Sequence, residues 1–597
     1  MTNGTSQGGA AAQGVRDSSW FGHPRQLSRL FTTEAMERFG YYGMRALLTL
    51  YLTKHFLFND QTTAGFYGGF TALVYLTPVL GGLLADRYLG SKRSVKFGAL
   101  MMALGYAVLC FGGPAAKPYA MIEGVRYEVV VGQGESANAQ YVVSGEQKLR
   151  IKGNDDGTVS LLDMQAREVR HIAKKDFRPD GERLPLYTGL LLLGLSLVTI
   201  GNGFFKPNIS TIVGTLYDAK DERKDAGFAI FYMGINLGSF FSQILCPVLA
   251  VGMLGWGGLG WWAGFALAAL GMSISWCLIQ FDGGALDGYG DRPEGASGNR
   301  DLLIYGGALL IVPLAWWIYS TMMTYVPPQA AAGLFGFIST LPIMGKVLLA
   351  TASLSIVGIL AWSWSNGSRQ EFEMMLAAMI LIIFNVVFWT LFEQAGSSLT
   401  QFADRNTDLS VFGWFDITAG QTQFFNAAFI VLLVPVFNQL WAMLRSRGIE
   451  PSIPVKFAFA LIGVGAGFLW LVWGASFADA QYRVGLGWLA GLYLIHSISE
   501  LCISPVGLSM ITKLSIGRIV GMMMGVWFLS ISFAQFLGGE MAKRASVDTV
   551  AGMVTNPKVA LDTYVGVYQT FGIYTIYVGL ALLALSWPLK RIMHGVK

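Results

Sequence analysis

Charged residues are concentrated near the start of the first long apolar segment, in the stretch TEAMERFGYYGMR from Thr33 to Arg45. An apolar continuation to Phe58 makes the segment long enough to cross a bilayer, where an ionisable group must pair or face a watery cavity. A packing salt bridge is the alternative, but two carboxylates and two guanidinium groups exceed one neutral pair. The pattern predicts a helix face in a substrate, ion or proton pathway. At helical spacing that face holds Glu34, Glu37, Arg38, Tyr41, Tyr42 and Arg45.

Composition indicates a polytopic membrane protein. The 597 residues are 53% hydrophobic and only 13% charged, with a mean hydropathy of +0.49. The net charge of +5 is small and spread through loops, which argues against nucleic-acid binding. The four cysteines lie in apolar segments without metal-ligand spacing, so we expect no disulfide, metal or other cofactor apart from protons.

Apolar segments of spanning length recur fourteen times along the chain. Residues 1–24 are rich in Gly, Ala, Ser and Gln, which predicts a disordered cytoplasmic tail. Basic residues favour alternate short loops, which predicts cytoplasmic termini in a cell (inner or plasma) membrane. The predicted spans are 28–57, 64–86, 94–113, 186–215, 226–251, 258–281, 301–325, 340–365, 372–398, 420–443, 456–477, 485–511, 518–538 and 564–589.

Residues 115–185 break the membrane pattern. Stretches such as MIEGVRYEVVVG and KLRIKGNDDGTVSLLD alternate polar with β-branched or aromatic residues, and NDDG is a hairpin turn signal. This pattern predicts a small extracytoplasmic β-domain between the third and fourth helices. Its apolar content is thin, so a spacer or lid is favoured over a ligand-binding module.

Several later spans carry polar residues that a core seldom tolerates. GNGFFKPNIS places Lys206 inside the fourth span, where snorkelling is the alternative. FYMGINLGSFFSQ spaces Tyr232 and Asn236 one turn apart, and FWTLFEQ buries Glu393, which requires a cation such as Arg45.

These motifs resemble those of the proton-dependent oligopeptide transporters of the major facilitator superfamily. The matching patterns are E-x-x-E-R-F-x-Y-Y-G from Glu34, the Lys206 motif and F-Y-x-x-I-N-x-G-S from Phe231. The resemblance implies an all-α polytopic fold of two six-helix bundles, with the two extra helices of bacterial members between them. The implied parts are a bundle at 25–281, a cytoplasmic linker at 282–300, the extra pair at 301–366 and a second bundle at 367–597.

The resemblance also implies the substrate site. Arg45 and Lys206 would bind a peptide carboxylate, and Glu500 would bind its ammonium group. Neutral partners and aromatic walls with polar tips suit varied side chains between those ends. The further substrate-binding residues implied are Tyr41, Tyr42, Tyr75, Tyr232, Asn236, Trp389, Asn426, Ser504 and Trp527.

Proton coupling is implied at carboxylates that can exchange a proton for a salt bridge. These groups are Glu34 and Glu37 with Arg38, and Glu393. Animal members carry a histidine where this chain has Gly68, so a histidine switch is unavailable at that position. Asp86 and Arg87, in GGLLADRYLGSKR, correspond to a loop linked to gating.

The sequence thus predicts a monomeric transporter that takes up di- and tripeptides with protons by alternating access. A same-fold transporter for another zwitterion or an anion such as nitrate is the alternative, and a membrane peptide receptor is a second. Glu500 favours peptide over nitrate, because nitrate has no ammonium group. An enzyme is a poor fit, since no H-E-x-x-H, G-x-S-x-G or Cys/His nucleophile pairing is present.

Overall fold

The computed structural model describes residues 18–132, 139–218, 221, 223–293, 300–326 and 333–596. Long helices dominate this part of the chain. The α-helices are α1 (Gln26–Leu50), α2 (Asp60–Leu84), α3 (Ser91–Leu109), α4 (Pro185–Thr215), α5 (Lys224–Val251), α6 (Trp261–Gln280), α7 (Asp301–Met323), α8 (Gly333–Ser339), α9 (Ile343–Asn366), α10 (Arg369–Phe392), α11 (Ser398–Asn406), α12 (Phe424–Ser446), α13 (Ile453–Ala475), α14 (Leu486–Leu514), α15 (Val520–Ala542) and α16 (Pro557–Ile592).

Each predicted span coincides with a long helix. In the described residues, twelve of these helices are long and apolar enough to cross a membrane. The two outside that set are α1, which carries the charges of the first motif, and α3, which begins with Lys92 and Arg93. The chain is therefore a multi-pass membrane protein, and its most polar long helix is the one with the predicted pathway residues.

The observed boundaries of α10 differ from those of the predicted span 372–398. A capping box between Ser368 and Glu371 starts the helix. The predicted span 372–398 is not one unbroken helix, because α10 ends at Phe392 and Glu393–Gly396 forms a 3₁₀ turn before α11. That turn redirects the backbone at Glu393 and sets the direction of its side chain.

The predicted β-domain is present as one antiparallel sheet in the order β8-β7-β6-β5-β4-β3-β9. The NDDG stretch joins β6 to β7 as predicted, with Gly157 at a φ of +83°. Alternating residues pack a small core that includes Ile122, Val142 and Ile151. The strands are β3 (Lys117–Ile122), β4 (Val125–Val131), β5 (Gln140–Ser144), β6 (Gln147–Gly153), β7 (Val159–Leu162), β8 (Glu168–Ile172) and β9 (Phe177–Glu182).

Short strands of two or three residues lie outside this sheet. One pair involves the predicted disordered tail, of which residues 1–17 lie outside the described residues. Residues 18–24 differ from the prediction: β1 and β2 pair, and His23 is buried with its Nδ1 2.9 Å from the hydroxyl of Tyr217. These strands are β1 (Ser18–Trp20), β2 (His23–Pro24), β10 (Thr407–Asp408), β11 (Ser410–Val411), β12 (Phe415–Asp416), β13 (Val484–Gly485), β14 (Thr549–Val550) and β15 (Met553–Val554).

Two large hydrophobic cores divide the helices. One is built from residues between Leu27 and Tyr319, and the other almost entirely from residues between Ile359 and Met593. We call these parts the N-terminal and C-terminal halves. Helix α7 packs on α2 and α4, whereas α9 packs on α10 and α15, so this peripheral pair contacts both halves.

The halves meet tightly along α2 and α15, at the end of the molecule that carries the β-domain. A Cβ atom on Gly68 would lie 2.7 Å from the Cα atom of Gly539, so no larger residue fits there without moving a helix. Asp60 and Arg405 form a buried ion pair in the same region, and Lys54 pairs with Asp404. We call this contact zone the seam.

Candidate functional site

A cavity of about 340 Å³ lies between the two halves. Residues from α1, α2, α4 and α5 form one wall, and residues from α10, α12, α14 and α15 form the other. The structure thus brings together residues that lie hundreds of positions apart in sequence. The predicted residues that line the cavity are Tyr42, Arg45, Tyr75, Lys206, Tyr232, Asn236, Trp389, Glu393, Asn426, Glu500, Ser504 and Trp527.

Arg45 joins the halves at the edge of the cavity. Its Nη2 atom pairs with Oε2 of Glu393, as the sequence predicted, and its Nε atom donates to the hydroxyl of Tyr67 at 2.5 Å. The guanidinium carbon also lies 5.9 Å from the ring centroid of Tyr42. Both members of the pair are more than nine-tenths buried. The charge of Arg45 is therefore balanced by a carboxylate from the opposite half.

Lys206 has a different environment, on the N-terminal wall. Its Nζ atom lies 4.2 Å from the ring centroid of Tyr75. Among the described residues, no carboxylate oxygen lies within the 4.0 Å ion-pair distance of this amine. A ring face attracts a cation but does not neutralise it. The structure therefore places Lys206 in the cavity wall without a direct ion-pair partner among the described residues.

Glu500 occupies the C-terminal wall. The side-chain amide of Asn426 donates to Glu500 Oε2 at 3.2 Å and to the hydroxyl of Ser497 at 3.0 Å. Within the described ranges, no basic nitrogen comes within 4.0 Å of this carboxylate. The amide orients the carboxylate but leaves its charge uncompensated. The cavity thus presents an unpaired cation and an unpaired anion on opposite walls.

The remaining residues predicted to couple protons lie beside the cavity rather than in its wall. Arg38 Nε is 2.9 Å from Glu34 Oε1 and 2.5 Å from Glu37 Oε2, and all three side chains are almost fully buried. The contact with Glu37 lacks hydrogen-bond geometry, because neither of its carboxylate oxygens has a hydrogen-bond partner in the described structure. Two carboxylates thus share one guanidinium group.

Besides Glu34, Glu37 and Arg38, three more predicted site residues lie outside the cavity lining. Tyr41 is buried against Tyr42, with ring centroids 5.4 Å apart, and does not line the cavity. Its hydroxyl is buried without a hydrogen-bond partner in the described structure, so the predicted substrate contact of Tyr41 is not formed by the cavity lining. Asp86 and Arg87 lie exposed in the π-helical turn Ala85–Leu89 at the end of α2, away from the cavity, as expected for a loop position.

Sequence reasoning missed several polar residues in the lining. Asn385 precedes Trp389 by one helical turn on α10, and this spacing is a signal that could have found it. His496 packs in the core, with Nε2 3.1 Å from the carbonyl oxygen of Val464, and it also borders the cavity. The missed lining residues with polar groups are Ser239, Gln243, Asn385, Gln423, Tyr493 and His496.

The fold and the site define a multi-pass membrane protein with a charged central cavity between two helical halves. A family model described as the POT family matches residues 92–284 and 340–557. These matches cover more than half of the chain, so the chain belongs to the POT family. The charged motif of the first helix, from Thr33 to Arg45, lies outside the matched ranges.

Curated relatives match along nearly the whole length. The chain is 28% identical over 576 residues to dipeptide and tripeptide permease A of Salmonella typhimurium, covering 96% of this chain and 93% of that protein. It is 28% identical over 574 residues to the permease of the same name from Escherichia coli, covering 96% and 94%. A crystal structure of a peptide transporter POT in complex with sulfate superposes with a TM-score of 0.70 at 26% identity, covering 98% of this chain and 99% of that one.

Proposed function

We propose that this protein takes up di- and tripeptides together with protons by alternating access. The observation that carries the proposal is the pair of uncompensated charges, Lys206 and Glu500, on opposite walls of one cavity. The names of the curated relatives support peptides as the substrate class.

The charges fit a zwitterion of nearly fixed length. Every short peptide carries an ammonium group at one end and a carboxylate at the other, while its side chains vary. Glu500, oriented by Asn426, would bind the ammonium group, and Lys206 with Arg45 would bind the carboxylate. Aromatic walls such as Tyr42 and Trp527 would accept different side chains.

Coupling would use the carboxylates that compete for too few cations. Protonation of Glu37 removes one of the two negative charges around Arg38, and protonation of Glu393 frees Arg45 for the substrate. Protonation of Glu393 would weaken a contact between the two halves, whereas protonation of Glu37 would change the charge within α1 beside the cavity. The coupling ion is a proton, and no further cofactor is required.

The conformation matches one state of such a cycle. The β-domain side of the protein would be extracytoplasmic. Because the halves are closed at the seam on that side, the described state would be closed to the outside. In this arrangement both termini are cytoplasmic, the protein works as a monomer in the inner membrane, and Asp86 and Arg87 act in gating at the cytoplasmic surface. The paired helices α7 and α9 are an insertion between two six-helix bundles of the major facilitator type.

Counterflow in proteoliposomes tests the proposal directly. The purified protein should exchange labelled dialanine against unlabelled di- and tripeptides, but not against single amino acids or nitrate. An imposed inward proton gradient should drive net uptake. Protein-free liposomes set the background. Exchange of nitrate without peptide exchange would overturn the proposal in favour of an anion transporter.

A further inference from the structure

The orientation of one buried amide in the cavity wall is fixed by its neighbour. Trp389 Nε1 donates to Asn385 Oδ1 at 3.1 Å. Because an indole nitrogen can only donate, the amide oxygen must face the indole. The amide nitrogen is then the free end. Asn385 is fully buried, and its Nδ2 atom has no hydrogen-bond partner among the described residues.

We propose that Asn385 is a specificity-determining residue that donates a hydrogen bond to the carbonyl oxygen of the substrate's peptide bond. This inference rests on the proposed function. Lys206 and Arg45 would occupy the substrate carboxylate, and Glu500 the ammonium group. The acceptor that all dipeptides share between those ends is the amide oxygen. A buried donor left without a partner is unfavourable, so the amide of Asn385 selects a substrate that satisfies it.

A ligand pair that differs only at this carbonyl tests the contact. Dialanine and its (E)-alkene isostere, which lacks the carbonyl oxygen, are titrated against the wild type, Asn385→Leu and Asn366→Ala. Asn366 lies exposed at the end of α9 and serves as the control. The wild type and the control should prefer dialanine about fivefold to a hundredfold. In Asn385→Leu this preference should fall to about onefold.

Each outcome of this titration is decisive. An undiminished preference in Asn385→Leu overturns the assignment while leaving the proposed function intact. Failure of the wild type to bind either ligand overturns the proposed function itself. If Asn385→Leu does not purify as a monodisperse protein, Asn385→Asp replaces it, because a carboxylate still accepts from Trp389 but cannot donate.

The β-domain carries a second inference, which is independent of the substrate. The domain is fixed to the N-terminal half by more than its two covalent connections. The backbone nitrogen of Ala116 donates to the carbonyl oxygen of His55 at 2.8 Å. The Arg183 guanidinium donates to the carbonyl oxygens of Phe56 and Leu57 at 3.1 and 3.2 Å. The domain should therefore move with the N-terminal half.

The same domain also holds the loop between α15 and α16 in the C-terminal half. Val550 is 1% exposed and belongs to the hydrophobic core of the β-domain. Asp155 accepts from Asn556 Nδ2 at 3.0 Å and from Lys558 Nζ at 2.8 Å. Lys174 pairs with Asp548 at 2.8 Å. The domain thus bridges both halves directly above the seam.

We infer that the β-domain is a latch that stabilises the closed seam. Separating the halves at this end must pull the loop that contains Val550 out of the β-domain core or detach the domain from His55, Phe56 and Leu57 of the N-terminal half. The exposed ion pairs contribute little individually, so the buried valine is the main holding contact. This inference replaces the spacer interpretation drawn from the sequence.

Distances between spin labels across the seam test the latch. Labels are placed at Gln61 and Asp562, which are exposed residues of the two halves. In liposomes, Val550→Asp should raise the ratio of open to closed seam at least about tenfold, because a carboxylate cannot remain in that core. Val131→Asp, at an exposed position of the same domain, should leave the distances unchanged.

A second variant keeps this test informative if Val550→Asp misfolds. Replacing residues 116–184 with a short Gly/Ser linker removes every contact of the domain at once. The same increase in the open population is expected in this variant. Unchanged distance distributions in the deletion variant would overturn the latch.

Discussion

The seam and the cavity both bury charge, but they treat it in opposite ways. In the seam, Arg405 donates to both carboxylate oxygens of Asp60, at 2.5 and 2.6 Å. Asp60 also accepts from the Gln401 side chain at 3.2 Å and from the Val547 backbone at 2.9 Å. In the cavity, Glu500 accepts from the neutral amide of Asn426. The charges of Asp60 and Arg405 balance each other in the seam, whereas Lys206 and Glu500 have no ion-pair partner within 4.0 Å among the described residues.

This difference separates structural charge from functional charge. A buried pair whose hydrogen bonds are satisfied has nothing left to offer a ligand, and losing one partner is strongly destabilising. An unpaired charge in a cavity is unfavourable until a ligand of opposite charge arrives. The comparison predicts that substitutions in the seam damage stability, whereas substitutions in the cavity damage binding or coupling. Four experiments test this, from the largest expected effect to the smallest.

Glu37→Gln should reduce gradient-driven uptake to the level of protein-free liposomes while peptide exchange continues. A neutral residue 37 can no longer change its interaction with Arg38. The side chain is nearly isosteric, so the cavity should still assemble. Counterflow and uptake under an imposed proton gradient report the two activities on one preparation.

Two further variants control this experiment. Glu34→Gln should show a weaker form of the same split, because the motif resemblance points to Glu37 more firmly. Glu450→Gln, in an ion pair between α12 and α13, should behave as the wild type. Wild-type driven uptake in Glu37→Gln would place coupling elsewhere, with Glu393 the next candidate.

Asp60→Asn should lower the free energy of unfolding by about 3–5 kcal/mol, because it leaves the charge of Arg405 buried without a partner. Thermal unfolding in detergent measures the loss against Asp562→Asn, an exposed control on α16. Adding Arg405→Leu to Asp60→Asn should restore part of the stability. If Asp60→Asn has the same free energy of unfolding as the wild type, the Asp60–Arg405 pair does not stabilise the fold. The predicted difference between the seam and the cavity would then be wrong.

Glu500→Gln should weaken dipeptide affinity about tenfold to a hundredfold, equivalent to about 1.5–3 kcal/mol, without lowering the unfolding temperature. The amide keeps the shape and the contact with Asn426 but loses the charge that binds an ammonium group. Direct binding measurements show the change, with Glu373→Gln at the start of α10 as the control. Unchanged affinity in Glu500→Gln would remove this residue from the site.

Tyr41→Phe and Tyr42→Phe form the finest test, because the residues are adjacent but only Tyr42 lines the cavity. The Tyr41 hydroxyl is buried without a hydrogen-bond partner in the described structure, so its loss should change peptide affinity less than about twofold. Loss of the Tyr42 hydroxyl should weaken affinity about twofold to tenfold. The reverse order of effects would show that Tyr41, and not Tyr42, faces the bound peptide.

Most polar residues of the cavity lining could be predicted from the sequence, because the signals that identify them are local. Charged and polar residues inside apolar segments, such as Lys206 and Glu500, are few enough to be noticed individually. Asn385 and Gln243 were not predicted as lining residues, because an uncharged amide is less costly in a membrane core than a charge and is therefore a weaker signal in the sequence. The substrate-binding role of Tyr41 follows only from the motif resemblance, and its side chain lies outside the cavity lining, so that role stays a prediction.

The sequence by itself determined where the chain crosses the membrane and which segment forms the β-domain. Both follow from local hydrophobic period, since the cost of burying a backbone or a charge in lipid acts on each segment separately. The pairing of Glu393 with Arg45 was predicted, but only the tertiary structure decided which charged residues lack an ion-pair partner. Arg45 meets Glu393 across 348 positions, whereas Lys206 meets no carboxylate within ion-pair distance among the described residues. Pairing depends on how helices from the two halves approach one another, and no local pattern specifies that distance.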